Sequence, residues 1–163
     1  MSQTYITFNG VEPTTVSRVA VATGTAIKTL QQVATPSTAE IWPFEWGISF
    51  DGSAAATPGI IELIETDVAA TSGTSVTPTK YGNPQGPLSL CVGGTGSTNH
   101  SPSAEGTITL VRTGSAWHIA PTNAQVLQLP LAREFRVAIS KFLRIRVKFA
   151  ASINAISYII WEE

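Results

Sequence analysis

KFLRIRVKF, residues 141–149, sets Leu143, Ile145, Val147 and Phe149 in alternation with Arg144, Arg146 and Lys148. Side chains two apart share one face of an extended chain, so the stretch is expected to form a half-buried strand with an apolar inner face and a basic outer one. The next apolar run, residues 155–161, is rich in isoleucine and adds Tyr158 and Trp161. That β-branched and aromatic density favours a strand over a helix. The five residues between the two runs, AASIN, are short enough for a hairpin loop, which predicts a C-terminal hairpin with both members in the core.

Working toward the N-terminus, further strand candidates are residues 135–139, 125–129, 115–119, 106–112, 60–66, 40–50 and 26–34. Turn signals separate them: Thr113-Gly114, the run APTN at 120–123, and Asp51-Gly52, which is placed to close a hairpin after WGISF. Short strands at this spacing, with no helical period competing, predict an all-β chain of at least eight strands. The expected architecture is an antiparallel β-sandwich of the jelly-roll kind with long loops. No segment repeats at a fixed period, so a solenoid or propeller is not supported. At 163 residues the chain is expected to be a single domain, 1–163. Its first 24 residues read either as an N-terminal strand or as an arm that orders on assembly. Two stretches read as long loops: 69–78, made mainly of Thr, Ser and Ala, and 81–103, which holds GNPQGP and GGTGSTN.

Charged residues make up only 13% of the chain and the net charge is −1. Such a surface lacks the self-repulsion that keeps monomers apart, and suits a protein partly covered by copies of itself or by a partner. Phosphate recognition needs a basic surplus, so a nucleic-acid ligand is not expected. The start, MSQTYITFNG, has neither a basic n-region nor an apolar h-region, and no apolar run is long enough to span a bilayer. The expectation is a protein made in the cytosol, not exported by a signal of its own, and without a membrane partner.

Catalytic material is sparse. The single cysteine, Cys91, reads as an apolar filler between Leu90 and Val92, and His118 as a structural residue in its strand. A metal set of His100, Glu105 and His118 can be drawn, but its spacing matches no known ligand pattern. GGTGST lacks the lysine of a P-loop, and no GxSxG elbow is present. Glu62 and Glu65, three apart, are expected on opposite faces of a strand rather than as a carboxylate pair. Asn99-His100-Ser101 is formally a glycosylation sequon, which a chain without a signal peptide would not use. No catalytic residue, cofactor or metal is expected, and the chain reads as non-enzymatic.

The tryptophans carry more information. Trp42, Phe44 and Trp46 fall on one side of an extended chain, although Pro43 restricts that strand to an edge or a bulge. Such a row suits a core, a subunit interface or a sugar platform, since aromatics are enriched in the first two and stack on pyranose faces in the third.

Over EWGISFDG (45–52), and again over APTN, LPLAREF, FLRIRV and AISYIIWEE between 120 and 163, the chain resembles small virion structural proteins of tailed bacteriophages, some of which act as capsid decoration or cement proteins. The resemblance does not extend to residues 53–104 and transfers no catalytic residue. It implies a homo-oligomer, with a trimer favoured, bound to the major capsid protein on the capsid surface of a virion and made in the host cytoplasm. Trp42, Trp46, Arg144 and Arg146 are the expected partner-facing residues. The alternative is a receptor- or carbohydrate-binding module of a phage fibre or spike.

Overall fold

The alternating run is met by a strand whose inner face is as expected: Leu143, Ile145, Val147 and Phe149 are all buried. The computed structural model describes residues 2–10, 12–53, 57–71, 74–95, 104–130 and 132–163. Among these it has no helix and twelve strands: β1 (Thr4–Phe8), β2 (Val21–Ala22), β3 (Lys28–Ala34), β4 (Trp42–Phe50), β5 (Gly59–Thr66), β6 (Thr74–Val76), β7 (Thr79–Lys80), β8 (Val92–Thr95), β9 (Val111–Ile119), β10 (Ala124–Gln128), β11 (Phe142–Lys148) and β12 (Asn154–Glu162). They form two antiparallel sheets. Sheet A runs β10-β4-β12-β1-β7, with β2 also paired to β12, and sheet B runs β6-β8-β3-β11-β5-β9. This is a β-sandwich, the architecture that the spacing of short strands predicts.

Local pairing differs from the expectation. β11 and β12 do not form a hairpin: β11 lies between β3 and β5 in sheet B, and β12 between β4 and β1 in sheet A. Each strand carries a full apolar face, and two such faces bury most area by packing on each other across the ~10 Å between sheets. Residues 149–153 bridge that gap. The same holds at Asp51-Gly52, where β4 belongs to sheet A and β5 to sheet B. Asp51 instead receives Asn154 N and Nδ2 at 2.8 and 2.9 Å, and Gly52 N donates to Pro121 O. Residues 135–139 contribute a single bridge, Val137 to Ile41, in place of a strand. The expected loops 69–78 and 81–103 hold β6 and β8, β7 lies between them, and the N-terminal segment supplies β1, paired in register with the C-terminal strand from Thr4↔Glu162 to Phe8↔Tyr158.

The core lies between the sheets, with Leu30, Val33, Ile61, Leu63, Leu143 and Ile145 on one side and Tyr5, Trp46, Ile48, Ile159 and Trp161 on the other. One polar tie crosses it. Gln31 faces inward, donating from Nε2 to Thr7 O at 2.7 Å and accepting from Ser157 Oγ at 2.8 Å. Its neighbour Asn9 donates to Ala155 O and accepts from Ser157 N. Buried amides satisfied in this way fix the register of β1, β3 and β12 as well as their proximity.

Candidate interaction face

The four expected partner-facing residues do not share a surface. Trp46 is 1% exposed and stacks on Trp117 of β9, with ring centroids 5.4 Å apart and planes 23° from parallel. Trp42 is half-buried, and the guanidinium of Arg136 lies 5.5 Å from its ring. The parity of the aromatic row is broken by a bulge: Ile160 pairs Glu45 while the next residue, Trp161, pairs Pro43, so Phe44 is the extra residue. One added residue reverses the alternation, leaving Pro43 and Trp46 inward and Trp42 outward. Pro43 therefore sits beside a bulge, one of the two positions its missing N–H allows, but the row of rings does not exist.

Arg144 and Arg146 point outward from sheet B, yet they do not face open solvent as expected. Arg144 is fully buried, and its Nη1 donates to the backbone O and to Oε2 of Glu105 at 3.0 and 3.1 Å. Arg146 Nε donates to Glu62 Oε2 at 2.8 Å. Residues 67–71 and 104–110 lie over this half of the sheet. Glu105 also accepts from Thr29 N and Thr29 Oγ1, Gln32 Oε1 accepts from Ala70 N, and Asp67 accepts from Thr109 N, Thr109 Oγ1 and Leu110 N. Those bonds hold the Asp67 carboxyl down at about 2. Gly106 turns within this cover at φ +76°, where a Cβ would meet the Val68 side chain at 2.6 Å. Burial draws the Arg144 pKa below its usual value, with the Glu105 charge opposing that shift. Glu62 and Glu65 do face opposite sides of β5: Glu62 holds Arg146 on the outer face, and Glu65 turns inward to Arg112 and Ala138 N.

The outer face of sheet A is built differently. Register places Phe8, Tyr158, Gly47 and Val126 side by side across β1, β12, β4 and β10, and Ile6, Ile160, Glu45 and Gln128 in the next row. The Tyr158 ring lies down over Gly47, where an added Cβ would come within 2.5 Å of its Cε1, and its hydroxyl donates to Glu45 Oε1 at 2.7 Å. Phe8 packs on that ring at 5.8 Å, and the Arg18 guanidinium closes the row 3.8 Å above Phe8. The result is a strip of apolar side chains, from Ile160 at 3% exposure to Val126 at 56%, with Glu45 at its middle and Gln128 at its edge. Apolar side chains on this outward face, beside Glu45, Ser49 and Gln128, depart from the polar alternation of a fully solvated sheet face. No local pattern in the sequence marks this strip, because its members come from four strands far apart in the chain.

Reactive groups are not gathered anywhere in the described residues. No set of three His, Cys, Asp or Glu side chains there is placed to hold a metal ion. His118 is exposed on β9, Glu105 is engaged by Thr29 and Arg144, and His100 lies outside the described residues, as do the glycine-rich run from Gly96 and the sequon. Cys91 is buried, and burial together with the nearby Glu163 carboxylate pushes its thiol well above the usual range. A buried thiol held protonated suits the role of an apolar filler. No family model, curated protein or solved structure matches the chain.

Proposed function

We propose that this chain is a virion structural protein of a tailed bacteriophage, a capsid decoration or cement protein that attaches to the outside of the major capsid lattice and stabilises the head. The observation that carries the reading is the outer strip of sheet A: Ile6, Phe8, Tyr158 and Ile156, half-buried, and Val126, exposed, turn outward together on a sheet whose inner face is already committed to the core. The resemblance of the 45–52 and 120–163 segments to small phage virion proteins supplies the kind of partner. A face repeated over a lattice gains avidity from many weak contacts, so low charge and modest pairwise affinity suit the task. We read the eight principal strands as a jelly roll. β1, β12, β4 and β10 adjoin in one sheet and β3, β11, β5 and β9 in the other, so that apart from β5 to β9 each principal strand is followed by one in the opposite sheet.

The carbohydrate-binding alternative loses the aligned rings on which it stood, since Trp46 belongs to the core. The experiment is co-sedimentation of the purified protein with undecorated capsids, with heat release of the genome as the second readout. Saturable binding that raises the release temperature, and that Ile156→Lys weakens while the free protein melts unchanged, is the expected result. Failure to bind undecorated capsids, or binding indifferent to a charge on that strip, rejects the assignment.

A further inference from the structure

Sheet edges expose unpaired backbone donors and acceptors, and natural sheets protect them with short strands, charges, prolines, bulges or a covering segment. Among the described residues every edge but one is protected, β2, off the main path of sheet A, being only two residues long. β7 is two residues long and ends in Lys80, and β6 is three residues long. β9 carries a bulge at Gly114, and Phe135 and Arg136 pass beside its first half. β10, AQVLQ, has no charge, no proline and no bulge in its pairing with β4.

The polarity of this edge follows from the ladder. Leu129 N donates to Phe44 O, so Leu127 and Gln125, two and four residues earlier, also turn their backbone groups toward β4. The N–H and C=O groups of Ala124, Val126 and Gln128 therefore point away from the sheet. Among the described residues, what meets them is Gln125 Nε2, 3.4 Å from the Val126 carbonyl. Val126 is 56% exposed.

We propose that β10 is a homodimerisation edge, where two copies pair antiparallel about a two-fold axis at Val126 and join their A sheets into one continuous sheet. A second copy is the occupant because the strand is complementary to itself. Centred on Val126, the two-fold sets Val126 against Val126, Gln125 against Leu127 and Ala124 against Gln128, with no like charges opposed. It also turns the outward groups of Ala124, Val126 and Gln128 onto one another as hydrogen-bonded pairs. A net charge of −1 offers little long-range repulsion to such a pair. The strip Phe8–Tyr158–Gly47–Val126 continues into its copy, doubling that face. A three-fold assembly brings different surfaces of neighbouring copies together, whereas β10 paired with itself requires a two-fold. Such contact is made between copies of this chain alone and can be measured without a capsid.

Sedimentation equilibrium of the full chain over rising concentration should give a reversible monomer–dimer equilibrium, with hydrogen exchange at the Ala124, Val126 and Gln128 amides slowing as dimer forms. Two double variants test the register. Ala124→Lys with Gln128→Lys opposes like charges across the two-fold, and Ala124→Lys with Gln128→Glu opposes unlike ones. The first should raise the dissociation constant and the second lower it, each by roughly three- to tenfold for two symmetric cross-strand pairs. Thermal unfolding run beside them identifies any variant that fails to fold, and amide protection in the unmodified chain decides the matter if neither folds. A chain that stays monomeric overturns the proposal. So does a dimer or trimer whose affinity is the same in both variants, or one in which the three amides exchange at the monomer's rate.

Discussion

A guanidinium with no exposed surface sits at Arg144, in the middle of a strand face that alternation alone assigns to solvent. Its Nη1 is satisfied by Glu105, while Nε and Nη2 meet no hydrogen-bond partner among the described residues. Removing this buried guanidinium takes the counter-charge from Glu105, which is 19% exposed and keeps its Thr29 bonds, so Arg144→Ala should cost about 3 kcal/mol, the low end for a broken buried pair. Ile145, also fully buried but facing the core, should lose about 2–5 kcal/mol when cut to Ala, from lost transfer energy and the cavity left behind. Arg146, whose pair with Glu62 is partly solvated, should lose roughly 1 kcal/mol or less. Urea unfolding of the three variants checks the ranking. An Arg144→Ala as mild as Arg146→Ala would mean that residues 104–110 do not close over β11. Nothing in the run KFLRIRVKF distinguishes the two arginines, because what separates them is a segment almost forty residues away.

At the scale of elements, β4 shows what pattern reading reaches and what it misses. Its existence, its bounds to within two residues and its bulge-prone proline are legible in the sequence, since β-branched and aromatic density and a missing N–H are local properties. Which side Trp42 faces is not, because the bulge is set by the pairing of Pro43 and Glu45 with Trp161 and Ile160 on β12. Gly47 has a similar non-local reason. Its bare Cα lets the Tyr158 ring lie flat, so Gly47→Ala should lift the ring, break the Tyr158–Glu45 bond and cost about 1–3 kcal/mol as an overpacking substitution. A thermal shift paired with tyrosine fluorescence measures both effects. An unchanged melting temperature would show that the ring does not rest on Gly47. The strip would then lack its flat centre.

For the whole molecule, three carboxylates tie together segments distant in sequence. Asp51 ties the end of β4 to Asn154, and those hydrogen bonds lower its pKa. Asp67 holds Thr109 and Leu110 and is lowered to about 2. At Glu163, burial favours the neutral acid, but bonds from Ser89, Trp161 and Leu90 N outweigh it and leave the pKa below its usual value. A folded-state pKa below the unfolded one stabilises the fold fully above the unfolded value of about 4, and that stability is lost as pH falls through the folded value. The unfolding temperature should therefore be flat from neutral pH down to about 5 and fall between about 4 and 2. Asp67→Asn should remove part of that fall, with fluorescence-detected melting across pH as the measurement. A profile unchanged by Asp67→Asn would show that residues 104–110 are not held through that carboxylate.

Sequence alone determined that the chain is all-β, where most of its long strands lie, and which face of residues 143–149 enters the core, because backbone alternation and side-chain bulk act over a few residues. Tertiary structure decided the rest. β11 and β12 have the composition and the short connection of a hairpin, yet each finds its hydrogen-bonding partners among strands from distant parts of the chain, and the two meet only through their side chains. The free energy that selects this pairing is the burial of two apolar faces against each other, a property of the two sheets together that no local window contains. The same holds for the strip on sheet A and for the unprotected edge at β10. Both come into being when β1, β4, β10 and β12 lie side by side.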